Sequence, residues 1–261
     1  LNSKVQAIAN HTGSTITARS NPVVGDTIAI LSNMATDIDT ITGNRLNAVA
    51  SGAQYVTWSG TSYQSANWAT SLTFTHTITF ASANAARYFF NAGGIIKWES
   101  NKTSTGNTGD PEWNDLSSTL LGDIYITGGT ATQTIATVSY TGTTKSGGTG
   151  VPSILASTTG WYDLLTTDTI LYKQFADTGP YTGNYIQLSA KTAGTGTQLV
   201  LTTTWVNAEG DTTSGGTATN SPLSTFGTGP ATVVTYFPPS STYLTSASWG
   251  TPTIAAAVSG S

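Results

Sequence analysis

The sequence predicts a mainly β protein: an antiparallel β-sandwich or jelly-roll-like domain preceded by a short N-terminal helical segment. Three observations predict it. About a fifth of the 261 residues are threonine, whose branched β-carbon suits a pleated, half-wet surface. Only 8% of residues are charged, while 7 Trp, 11 Tyr and 7 Phe supply a core from few positions. Short apolar/polar alternations recur between Gly-rich turns such as GTTKSGGTG and GDTTSGGTATNS.

Residues 1–50 read differently from the sandwich domain expected over 51–261, and suit a helical attachment or oligomerisation segment. Asn2 to Asn10 suits a short helix with Val5, Ile8 and Ala9 on one side, and His11 to Asn21 suits a loop. Leu31, Met34, Ile38 and Ile41 then recur at spacings of three and four. This is one face of a helix over about Thr27 to Thr42, with Asp26 as N-cap and Gly43 as stop.

The strongest strand signal is SLTFTHTITF, where Leu72, Phe74, His76, Ile78 and Phe80 alternate with threonines. ARYFFNAGG reads as a second strand turning at Asn91 to Gly94, and IIKWES as its return. A polar loop from Asn101 to Asp110 leads to a helix over Pro111 to Leu121, with Pro and acids at its start. Further strands are expected at Ile124–Ile126, Thr132–Tyr140, Thr167–Phe175, Tyr185–Lys191, Leu199–Asn207 and Ala231–Phe237, and a weakly ordered tail from Thr251.

Tyr88, Phe89 and Phe90 in succession cannot share one strand face, so at least one must meet a second sheet, a helix or another subunit. Trp98 and Trp113 flank the polar loop, and Trp113 is placed to lock the following helix onto the sheet. All five aromatics, with the apolar face Leu31, Met34, Ile38 and Ile41, are therefore candidates for either core packing or contacts between subunits.

Chemistry at a catalytic centre finds little material. Cysteine is absent and histidine occurs twice, which removes thiolate chemistry and leaves zinc and nucleophile–histidine–acid sites without a constellation. His76 suits an inward, hydrogen-bonded core position, and His11 an exposed loop. A glycosidase needs only two carboxylates. Asp37 and Asp39, however, lie two apart on a helix and do not face each other. Asp110, Glu112 and Asp115 instead suit a helix N-terminus. A calcium ion would need Asn107, Asp110 and Asp115 together, without EF-hand spacing to support it. GTTKSGGTG lacks the order of a phosphate loop. The expectation is a non-enzyme without catalytic residues, metal or cofactor.

A net charge of −4 with nine scattered basic residues argues against nucleic-acid binding. No apolar run has transmembrane length, and no signal peptide stands out. A surface so short of charge is a poor design for a free monomer, which points to surfaces covered by partners.

The stretch NAARYFFNAGGIIKWESNKTSTGNTGDPEW, Asn84 to Trp113, resembles a segment of virion structural proteins of tailed bacteriophages, the contractile-tailed phages and cyanophages in particular. In that family a strand ends in a phrase like this one, followed by a polar loop and a helix containing N-x-W-x-x-L-L; here the helix reads PEWNDLSSTLLG. SNMATDIDTI, GWYDLLTTDTILYKQFADTGPYTGNYIQLSAK and TTTWVNAEGD are similar to further family segments in the same order, so the resemblance spans most of the chain through short motifs. HTGSTITARSNPVVGD departs from it, standing where the family has a Gln/Tyr/Gly-rich linker.

The resemblance implies a virion component of the tail, neck, baseplate or fibre, assembled in the bacterial cytoplasm. Its implied partners are copies of itself and other virion proteins, with no nucleic acid and no membrane. It brings no catalytic residues. The rival readings are a capsid decoration or cement protein, and a receptor- or glycan-binding adhesin whose Trp58, Tyr63, Trp68 or Trp249 would stack on host-surface sugars.

Overall fold

A computed structural model of the chain describes residues 2–12, 14–17, 23–24, 30–44, 56–58, 70–102, 110–135, 138–178, 181–208, 212–213, 216–217, 231–239 and 249–260. Its helices are α1 (Asn2–Thr12), α2 (Ile30–Asn44), α3 (Ala83–Asn91) and α4 (Asp110–Asn114), the last running into a π-helical segment, Asp115–Leu120. Its strands are β1 (Val56–Trp58), β2 (Ser71–Thr79), β3 (Ile95–Asn101), β4 (Asp123–Ile126), β5 (Gln133–Ile135), β6 (Val138–Tyr140), β7 (Thr143–Ser146) and β8 (Ile154–Leu155). They continue with β9 (Thr169–Phe175), β10 (Tyr185–Ala193), β11 (Gln198–Val206), β12 (Thr212–Thr213), β13 (Gly216–Thr217), β14 (Ala231–Phe237) and β15 (Thr253–Gly260).

Two antiparallel sheets form a sandwich, as the sequence predicts. One has the order β1-β14-β3-β4-β7 and the other β15-β2-β11-β10-β9-β8. The chain changes sheet repeatedly, among other places from β2 to β3, from β7 to β8 and from β14 to β15. Strands distant in sequence therefore become neighbours: β2 pairs with β11 in one sheet and β3 with β14 in the other.

The alternation in β2 dictates which face is buried. Leu72, Phe74, His76 and Ile78 point inward and are at most 2% exposed, while the threonines between them stay half-buried on the outer face. The same parity runs across the sheet in register. Val258, Phe74, Thr203 and Leu188 form one inward row, and Ala256, His76, Leu201 and Ala190 the next. Facing them from the other sheet are Ile96, Trp98, Ile124, Ile126, Val234 and Tyr236, all in the same core. Trp98 bridges the two layers, donating its indole N–H to Thr203 Oγ1 at 2.8 Å and lying 6.5 Å, ring to ring, from Tyr172.

Five expectations are corrected. Residues 83–91 form α3, not a strand. Ser82 caps it by accepting from Ala85 N at 3.0 Å, and a helix turns about 100° per residue, so Phe89 and Phe90 both reach the core while Tyr88 points out. Thr132–Tyr140 is not one strand; β5 and β6 within it pair as a hairpin. The helix over 111–121 is α for one turn and then π, with Trp113, Leu116 and Leu120 all buried. The C-terminal residues are not a weak tail: β15 pairs with β2 along its whole length. His11 belongs to α1, which continues to Thr12, and not to the loop after it.

At the N-terminus, α1 and α2 pack on each other within one chain. Val5, Ala9 and Ile41 form a small cluster with Ile16, separate from the sandwich core. Asp37 of α2 accepts from the Thr17 backbone N–H at 3.2 Å and ties down the 14–17 segment. The expected N-cap Asp26 and the boundary drawn at 50/51 lie outside the described residues.

Candidate functional site

A cleft of about 260 Å³ opens where the end of α3 meets the loop after β4, lined by Phe90, Asn91, Gly128, Gly129, Gln133 and Tyr162 among others. Local sequence builds each wall. Phe90 is held by stacking on Trp161, centroids 5.0 Å apart and 15° from parallel. Gly128 O accepts from Tyr162 N at 2.8 Å, which fixes the tyrosine at the rim. The Tyr162 hydroxyl donates to Asn91 Oδ1 at 2.7 Å, with Arg87 O a second acceptor at 3.2 Å. Burial raises the phenol's pKa against the pull of Arg87, so it is neutral and a donor at pH 7. Gln133 is 1% exposed; its Nε2 reaches Phe90 O at 3.5 Å, and its Oε1 has no partner among the described residues. Amides, a phenol and an aromatic edge are groups that bind neutral polar molecules by hydrogen bonding and stacking.

The outer face of the six-stranded sheet is the second candidate surface. Its cross-strand rows read Ser259, Thr73, Thr204, Gln187; Ala257, Thr75, Thr202, Ser189; and Ala255, Thr77, Val200, Lys191. Across β15, β2 and β11 this face carries no charge at all. Charge returns only toward β10 and β9, where Lys173 sits 3.6 Å from the Tyr185 ring centroid and 4.6 Å from that of Phe175.

On the outer face of the other sheet the charges are internally matched. Lys97 pairs with Glu99 at 2.5 Å and Asp123 at 2.9 Å. Burial disfavours the Lys97 charge, but these carboxylates more than offset it and raise the lysine's pKa. Beside it, burial pushes the Tyr125 phenol up to about 12.

The subunit-contact candidates divide sharply. Phe89, Phe90, Trp98 and Trp113 are at most 2% exposed, so in the folded chain they have no surface to offer a partner; their role is core packing. Trp113 does lock its helix to the sheet, 5.3 Å from Trp205. Ile41 is buried in the helix pair, Met34 is half-buried, and the Leu31 side chain lies outside the described residues. Tyr88 at 46% and Ile38 at 47% exposure remain on the surface.

Of the sugar-stacking candidates, Trp249 is buried at 3% exposure, and Tyr63, Trp68 and the Trp58 side chain lie outside the described residues. Sequence reasoning missed Gln133 and Tyr162. The signal was Gly128-Gly129 meeting Gly160, whose backbones touch so closely that a Cβ on Gly160 would sit 2.4 Å from Gly129 N.

Among the described residues no three His, Asp or Glu side chains group as metal ligands, and no helix is long and apolar enough to cross a membrane. Of the calcium set Asn107, Asp110 and Asp115, Asn107 and the Asp110 side chain lie outside the described residues. His76 is fully buried, its Nε2 3.4 Å from Thr232 Oγ1. Burial lowers its pKa to about 4, with a hydrogen bond to Thr232 acting the other way, so it is neutral in the fold.

Fold and surfaces together define the class: an antiparallel β-sandwich protein with a helical N-terminal pair. No protein-family model matches the chain, and no curated protein or solved structure is significantly similar to it.

Proposed function

We propose that the chain is a structural component of a tailed-bacteriophage virion, in the tail, baseplate, neck or an attached fibre. It works there without catalysis, by homo-oligomeric assembly and contacts with other virion proteins. The observation that carries this reading is the charge-free outer face of β15, β2 and β11. A face left to water ordinarily carries mixed charge. Rows of Thr, Ser and Ala cost far less to desolvate than charged groups, and their hydroxyls can pair across a contact. The helix pair adds exposed Ile8 and Ile38 as apolar docking points. The phage-like segments supply the kind of particle.

Antibody against the chain, viewed on negatively stained virions of the phage that encodes it, tests the proposal. Label at the tail, neck or baseplate is expected; label confined to lysate debris overturns it. A capsid decoration role is separated by label spread over the head.

A second reading, a receptor- or glycan-binding adhesin, is favoured by the Asn91–Gln133–Tyr162 cleft. Its measurement is a glycan array with the isolated protein, where binding lost in Tyr162→Ala supports it and an empty array removes it.

A further inference from the structure

Sheet edges present unpaired N–H and C=O groups, and proteins ordinarily blunt them with short strands, charges, prolines or bulges. Among the described residues this sandwich follows that practice at three edges: β1 has three residues, β7 four and β8 two. The edge at β15 does not follow it. Eight residues, TIAAAVSG, run with neither charge nor proline, in unbroken register with β2. No residue from Thr253 to Ser259 has a hydrogen bond to a described residue beyond that ladder. Thr253, Ala255, Ala257 and Ser259 are exposed. The outward half of the strand's backbone groups is therefore left for another strand.

We propose that β15 pairs antiparallel with β15 of a second copy about a two-fold axis at Ala256, joining two six-stranded sheets into one. The sequence of the strand names the occupant. A two-fold normal to the sheet maps outer face onto outer face, so opposed residues must share parity. Centred on Ala256, the outer face pairs Thr253 with Ser259 and Ala255 with Ala257. The core-side face pairs Ile254 with Val258 and Ala256 with itself. Each residue meets one of its own character, with no charge and no bulky clash on either side. The two charge-free outer faces become one continuous surface. This deepens the assembly reading above and rests on it for its purpose, though not for its geometry.

The test uses the full chain and the exposed positions 255 and 257, where a lysine projects into water in the single copy. Sedimentation velocity is expected to give a dimer, or a larger even-numbered assembly, for the unaltered chain. Ala255→Lys with Ala257→Lys sets like charges directly opposite at both cross-strand sites and is expected to weaken dimerisation by roughly tenfold or more. Ala255→Lys with Ala257→Glu sets opposite charges across the same sites and is expected to restore it. Because the chain has no cysteine, Ala256→Cys is expected to cross-link between copies on oxidation, its Cα atoms about 4.5–5.5 Å apart. Ser259→Cys, far along the strand from its own counterpart in this register, is expected not to cross-link.

A monomeric unaltered chain, or a double-lysine variant that assembles undiminished, overturns the edge pairing. Incorporation into virions is read separately, so the pairing can fail while the virion role stands, and the reverse.

Discussion

Trp98 of one sheet donates its indole N–H to Thr203 Oγ1 of the other across 2.8 Å, in a core where both side chains are fully buried. The bond fixes the spacing of the sandwich at one point and makes Thr203 the polar member of an otherwise apolar inward row. Thr203→Val keeps the shape and strands the donor, for an expected loss of about 1–3 kcal/mol by urea unfolding. Thr203→Ser, which keeps the acceptor, is expected to lose less than the valine variant.

His76 makes stability depend on pH. Its folded pKa lies near 4 against 6.5 unfolded, so between those values the unfolded chain binds the extra proton. Its contribution is complete above pH 6.5 and is lost as pH drops toward 4, by on the order of 3 kcal/mol. Unfolding free energies across that window are expected to decline less steeply in His76→Gln than in the unaltered protein.

Gly94 is required by its neighbour. A Cβ there would lie 2.5 Å from the Phe89 ring, which is packed 5.4 Å from Phe80 and 6.1 Å from Tyr236 and has nowhere to move. Gly94→Ala is expected to cost about 1–3 kcal/mol through overpacking, and Phe89→Leu in the same chain to return part of it. Thermal unfolding of Gly94→Ala, Phe89→Leu and the double variant reads the coupling.

Removing residues 252–261 strips β2 of one neighbour and uncovers the inward row at Ile254 and Val258. The truncated chain is expected to lose at least about 2 kcal/mol of stability, measured by denaturant. A dispensable tail would cost nothing.

The readable parts of the fold were those in which one period dominates. Thr-separated apolar residues from 72 to 80 announce a strand because the inward side chains are large and the outward ones are threonine. In β15 the same alternation is muted: alanines occupy both faces, so the burial pattern leaves almost no trace in the sequence. The run ARYFF misleads for the opposite reason. Its aromatics have high strand propensity, yet the Ser82 cap and the alanines before them begin a helix, and tertiary packing against Phe80, Trp161 and Tyr236 decides the matter. The cleft was illegible because its groups come from separated segments joined by close glycine backbones, a relation no local pattern carries.

The proposed place of this sandwich in a virus particle is read from its copy number. Quantitative mass spectrometry of purified virions, calibrated to the major capsid protein, is predicted to find the chain at one constant symmetric stoichiometry of a few tens of copies at most. Particles that lack the chain would contradict the proposal, and hundreds of copies would move it from the tail to the head.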